Sequence, residues 1–212
     1  MNFVKNKGLM FKTQILADKL THLTDARYFA ARDDDIICFS IEEHEDYQKS
    51  AMAINAMKEW IIGPRIFLRP GFRSEHEILE ICTLIQPEAI IGNFLEEIMM
   101  PGTLPCPFYL DLVLEDENSI HFGIALVHKF YPSGVICDIR NDAYLEYDFM
   151  VNFIKKLPLN CAVFLKFSSV SINPETLLQL NITGIAIDGS TEEKTGLKSF
   201  EEIDQLLDIL EV

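Results

Sequence analysis

The sequence predicts a parallel α/β architecture, a (β/α)₈ barrel, and two observations lead there. Short apolar runs of strand length alternate with helix-like stretches along the chain, eight times in 212 residues. Several runs, such as Ile36-Ile37-Cys38-Phe39 and Ala162-Val163-Phe164-Leu165, are nearly continuous in apolar residues, as strands covered on both faces are. An open doubly wound sheet would give the same alternation, so periodicity alone leaves both parallel architectures standing.

The strands are expected at 13–17, 36–41, 65–69, 88–91, 108–113, 135–139, 162–167 and 184–187. Between them, 74–85 reads as a helix: Ser74 and Glu77 have capping-box spacing, and Ile78, Leu79, Ile81, Cys82 and Ile85 recur at helical intervals. Asn173-Pro174-Glu175 pairs an N-cap residue with a proline at the first helical position. Residues 199–209 place Phe200, Ile203, Leu206 and Leu207 on one stripe. Weaker patterns cover 47–60 and 143–156, and 93–100 is the poorest repeat.

No stretch rich in Gly, Ser or Pro interrupts the pattern, so 1–212 is expected to be one domain. A formal net charge of −15 argues against nucleic-acid and anionic-membrane partners, whose phosphates attract basic surfaces. No apolar run is long enough to cross a bilayer, and residues 1–8 lack a leader's apolar core. A cytoplasmic location is the resulting expectation. Cys38, Cys82, Cys106, Cys137 and Cys161 are odd in number, scattered and without a C-x-x-C pair. Neither a disulfide framework nor a zinc site is suggested. The acidic run Glu42-Glu43-His44-Glu45-Asp46 lacks a ligand spacing and reads as a solvated loop.

Three stretches resemble the phosphoribosylanthranilate isomerase family. Leu20-Thr21-His22-Leu23-Thr24-Asp25-Ala26 is similar to that family's I-T-x-x-x-D-A, which follows a first strand ending K-I-C-G. Ile172-Asn173-Pro174-Glu175 is similar to its L-x-P-E-N, and the segment from Glu192 through Gly196-Leu197-Lys198 to its S-G-V-E-x-x-P-G-x-K-D. This resemblance implies the barrel rather than the open sheet.

It also implies an activity, an Amadori rearrangement of a phosphoribosyl amine of the tryptophan-biosynthesis type, with no metal and no organic cofactor. Such a reaction needs an acid at the ring oxygen and a base at C2. The resemblance places Asp18 at the family's catalytic Cys, Lys19 at the following Gly, and Asp138 at its catalytic acid. Asp18 and Asp138 are therefore the expected base and acid, on strand ends facing each other across the mouth. For a phosphate, Ser169 and Ser171 after strand seven and Gly189 and Ser190 after strand eight could supply donors. Arg69 and Arg140, with Arg73, fall at or beyond strand ends, where guanidinium groups could grip an anion or pair with surface carboxylates.

Several family motifs are absent. Ser40-Ile41-Glu42-Glu43-His44 stands where its S-P-R would bind a substrate carboxylate, Ile90-Ile91-Gly92-Asn93 replaces Q-L-H-G, and Ser169-Val170-Ser171 replaces the phosphate-binding A-G-G. The expected partner is a small phosphorylated aminosugar. The rival reading is a barrel that has lost this reaction and binds a small anion or another protein; the sequence leaves the oligomeric state open.

Overall fold

The computed structural model describes residues 13–32, 34–93, 104–167, 177, 179–189, 192–194, 197–198 and 200–210. Eight strands hydrogen-bond in chain order: β1 (Gln14–Leu20), β2 (Ile36–Ser40), β3 (Arg65–Arg69), β4 (Ala89–Gly92), β5 (Phe108–Leu114), β6 (Gly134–Ile139), β7 (Ala162–Phe167) and β8 (Gly184–Asp188). All neighbouring pairs are parallel, and β8 returns to β1 with Asp18 opposite Asp188. The ring is closed, which settles barrel against open sheet.

Outside it lie α1 (Leu23–Ala31), α2 (Tyr47–Lys58), α3 (Glu75–Ile85), α4 (Glu117–Phe130), α5 (Tyr147–Ile154) and α6 (Glu201–Leu210). Their starts follow from local chemistry. The Ser74 hydroxyl and the Glu77 carboxylate answer each other's backbone N–H at the head of α3, forming the expected capping box. Asp46 accepts from Gln48 and Lys49 at α2, which gives one member of the acidic run a structural task. The weak 143–156 pattern divides into a 3₁₀ turn (Asp142–Leu145) and α5. A short antiparallel pair, β9 (Glu192–Lys194) and β10 (Leu197–Lys198), stands where the sequence suggested only a loop motif. The proline-led helix start at 173–175, and all but Asn93 of 93–100, lie outside the described residues.

Two apolar shells fill the molecule. Strand residues of one parity, among them Leu16, Cys38, Phe67, Ile91, Tyr109, Ile136, Phe164 and Ala186, form one cluster drawn from strands alone, the barrel interior. Their neighbours of the opposite parity, such as Ile15, Ile37, Leu68, Leu110 and Val135, pack with Phe29, Ile54, Ile81 and Val127 of the helices. Inside, the Tyr109 ring lies 5.0 Å from Phe67 and 6.3 Å from Phe164, plugging the barrel below its mouth. Going up each strand by two residues from this layer reaches the C-terminal rim.

Candidate functional site

At that rim the inward parity turns from apolar to charged. Two residues beyond Leu16, Phe67, Tyr109 and Phe164 stand Asp18, Arg69, Asp111 and Lys166, one from each odd-numbered strand. A barrel interior is built in layers of four from alternate strands. Here the top layer of the odd strands is composed of two carboxylates and two cations.

The layer is paired internally. Arg69 donates from Nε to Asp18 Oδ1 and from Nη2 to Asp18 Oδ2, both at 2.7 Å, and from Nη1 to Asp111 Oδ2 at 2.7 Å. Lys166 Nζ is 3.8 Å from Asp18 and donates to Asp188 Oδ1 at 2.5 Å. Lys19 Nζ reaches the other oxygen of Asp188 at 3.8 Å. Asp18 is 0% exposed. Burial alone would push its carboxyl up, but the charge and hydrogen bonds of Arg69, with Lys166 and Lys19, outweigh it and hold the carboxyl below its ordinary value. Arg69 is raised in turn: burial lowers it, and the two carboxylates more than offset that.

The backbone beneath Asp18 is unusual too. The β1–β2 register shifts between Ala17 and Leu20, and Lys19 adopts φ 56, a left-handed conformation that glycine takes freely. This is the position at which the sequence resemblance places a glycine. A lysine held there costs about 1 kcal/mol. Its side chain emerges at the rim beside Asp188, and its N–H donates to Asp18 Oδ1 at 2.9 Å.

Next to this network opens a cavity of about 320 Å³. Ile78, Ile90, Ile91, Leu104, Phe108 and Val113 form its apolar wall, and Lys19, Arg69, Arg73 and Arg140 line it together with Glu42, Glu43, Asp111 and Asp138. Asp138 therefore lines the cavity from the end of β6, its side chain 17% exposed and Arg140 Nε 3.4 Å away. Arg140 also binds Glu115 at 2.8 Å and is half exposed. Asp18 and Asp138 share the rim, as expected, but they do not open into one pocket: Asp18 is sealed behind Arg69 and is absent from the cavity lining.

The remaining candidates divide. Arg69 is a buried ion-pair partner, not a surface one. Arg73 is also buried, donating to the carbonyls of Pro70, Glu42 and Glu45, and so braces two loops. Gly189 donates its N–H to the Asp18 carbonyl at 2.9 Å, and a Cβ there would come within 2.7 Å of Leu20 Cδ2. That donor is spent inside the fold rather than offered to a phosphate. Ser169, Ser171 and Ser190 lie outside the described residues. Cys38 sits in the interior with its thiol pushed well up, by burial first and the Asp18 charge second. Among the described residues no group of three or more His, Cys, Asp or Glu side chains is placed to hold a metal ion.

Asp111 and Lys166 escaped the sequence reading. Each is a lone charge in a strand otherwise apolar on both faces, where hydropathy hides the parity. The aromatic residues two positions earlier, Tyr109 and Phe164, carry the signal that would have found them.

Comparison with known proteins gives matches by structure only. No protein-family model matches the sequence, and no curated protein does. Phosphoribosylanthranilate isomerase from Thermotoga maritima superposes with a TM-score of 0.67 at 11% identity, covering 93% of this chain and 98% of that one. The enzyme of that name from Thermus thermophilus gives 0.66 at 16% identity over the same shares. A glycerol uptake operon antiterminator regulatory protein from Listeria monocytogenes gives 0.62 at 14%, covering 88% and 97%. At these identities the likeness establishes fold: the chain is a (β/α)₈ barrel similar in structure to the phosphoribosylanthranilate isomerases.

Proposed function

We propose that the barrel binds a small organic anion at its C-terminal mouth and does not carry out the isomerase reaction through Asp18. The observation that carries this reading is the Asp18–Arg69 pair. A general base needs a free lone pair aimed at the substrate. Both oxygens of Asp18 are taken by one guanidinium, the side chain is fully buried, and its affinity for a proton is reduced. Each of these opposes proton abstraction.

The cavity supports binding. Arg69 uses three N–H groups on Asp18 and Asp111, and a guanidinium has five. Arg140 and Lys19 stand half exposed at the rim. An organic acid with an apolar body would meet these cations while its body lies on Ile90, Ile91, Phe108 and Val113. The overall charge of −15 and the carboxylates of Glu42, Glu43, Asp111 and Asp138 in the lining oppose an anion, so binding rests on the local contacts of these cations.

The second reading is the isomerase, favoured by Asp138, which lines the cavity at the position the resemblance assigns to the acid. It requires Arg69 to leave Asp18 when substrate enters. Titration calorimetry with anthranilate, an aromatic carboxylate, together with a turnover assay on phosphoribosylanthranilate, separates the two. The expected result is saturable anthranilate binding, weakened about tenfold by Arg140→Ala (the worth of about 1.4 kcal/mol), and no turnover. Turnover by the wild type restores the isomerase. No saturable binding at millimolar anthranilate or related acids sinks the anion reading.

A further inference from the structure

The fold brings together two cysteines that the sequence keeps 24 positions apart, a separation given by 106 − 82. Cys82 lies in the last turns of α3, and Cys106 in the irregular segment leading into β5. Cys82 belongs to a small apolar cluster with Ile78 and Ile90, against which Leu104 and Cys106 pack, so the two thiols share one apolar pocket and interact there. All five cysteines of the chain are free thiols. The two sulfurs are unequal in access: Cys82 is 5% exposed, and Cys106 is partly open to solvent.

We propose that Cys82 and Cys106 form an oxidation site at which hydrogen peroxide, or a peroxide of the same class, produces an intramolecular disulfide. Cys106 reacts first because it is the accessible sulfur. Its thiolate attacks one peroxide oxygen, the O–O bond breaks, and hydroxide leaves, giving a sulfenic acid on Cys106. Cys82 then attacks that sulfur, the S–O bond breaks, and water departs as the S–S bond forms. Two thiols and one hydrogen peroxide become one disulfide and two waters, so cysteine is oxidised and peroxide reduced.

Two features support the order. The neighbouring Cys82 thiol holds Cys106 below its ordinary value, while the same interaction, with burial, pushes Cys82 up. A disulfide needs the sulfurs at about 2.05 Å, so the two side chains must approach within their shared pocket. Cys106 sits in the chain before β5 rather than within a strand, so that approach need not disturb the barrel ladder. The consequence reaches the cavity: Ile78 of α3 and Leu104 of the same pre-β5 segment both line its apolar wall. A disulfide would tie those two walls together.

The test uses the full chain, exposed to a few equivalents of hydrogen peroxide, denatured, alkylated and mapped by mass spectrometry. The expected products are a linked Cys82–Cys106 peptide, three alkylated thiols where the reduced protein shows five, and full reversal by dithiothreitol. In Cys82→Ser, a sulfenic acid trapped by dimedone should accumulate on Cys106. In Cys106→Ser, Cys82 should remain alkylatable. Persistence of all five thiols overturns the proposal, as does a link between any other pair, between two chains, or a sulfinic acid on Cys106 formed without linkage. The wild-type map decides the matter even where a variant fails to fold.

Discussion

Asp18 contributes to the barrel as a buried anion, and that role depends on Arg69. Removing the guanidinium leaves the carboxylate facing burial with only the Lys166 charge at 3.8 Å, the Lys19 charge and the Lys19 N–H to oppose it. Arg69→Met should therefore cost about 3–5 kcal/mol at pH 7. The pH dependence carries a sign that packing loss cannot imitate. In the wild type the folded carboxyl lies below its unfolded value of about 3.9, so its contribution is present above that pH and is lost as pH falls through the folded value. In the variant, burial, the largest single influence on Asp18, is expected to outweigh the two lysines and set the folded carboxyl above the unfolded one. Stability should then fall as pH rises between the two values. Urea midpoints of both proteins from pH 4 to 7 should diverge as pH rises; a gap constant across that range would assign the loss to packing alone.

The same residue shows what the sequence could and could not reveal. Asp18 and Asp138 were recognisable as rim residues, because a resemblance over a few motif positions locates strand ends. That Asp18 faces Arg69 was not recognisable. The pairing joins residues 51 apart through the inward parity of β1 and β3, and both strands are apolar on either face. A glycine after a strand can serve a ligand or a close approach, and at Gly189 the close approach to Leu20 is the part visible in the structure.

Elements were more legible than side chains. β3 and β7 fall where the apolar runs predict them, and the other six differ by a few residues at an end. Such ends depend on the partner strand's register rather than on local composition. α1 carries no side-chain cap; α4 is capped by Asp116 with Ser119 and buries Ile120, Leu126 and Val127, signals present in the sequence although the helix is not among those expected. Closure itself rests on a glycine. At Gly184 a Cβ would stand 2.2 Å from the Gln14 carbonyl oxygen and 2.7 Å from Phe164 Cε1, at the seam where β7 and β8 meet β1. Backbone cannot retreat there without breaking the ladder. Gly184→Ala should cost about 3 kcal/mol in chemical denaturation, the upper part of the usual range for overpacking. A loss under about 1 kcal/mol would mean that the seam is looser than this packing requires.

On the scale of the whole molecule, the charged layer replaces what an apolar layer would do at the top of the barrel. Arg69 links β1, β3 and β5, and Lys166 links β7 to β1 and β8. Five of the eight strands are thereby joined across the mouth, with the tilted aromatic layer below. A reacting centre would need these groups free; a binding cavity beside them needs them fixed. The central claim is that Asp18 is a structural anion, and global unfolding of Asp18→Asn tests it most directly. Asn is nearly isosteric but cannot answer a buried guanidinium's charge. Asp18→Asn should lose about 3 kcal/mol at pH 7, at the lower end for a broken buried pair because Asp111 still holds Arg69. A stability change under about 1 kcal/mol, accompanied by a 10²–10⁴-fold fall in turnover of phosphoribosylanthranilate, would contradict it and make Asp18 the base after all.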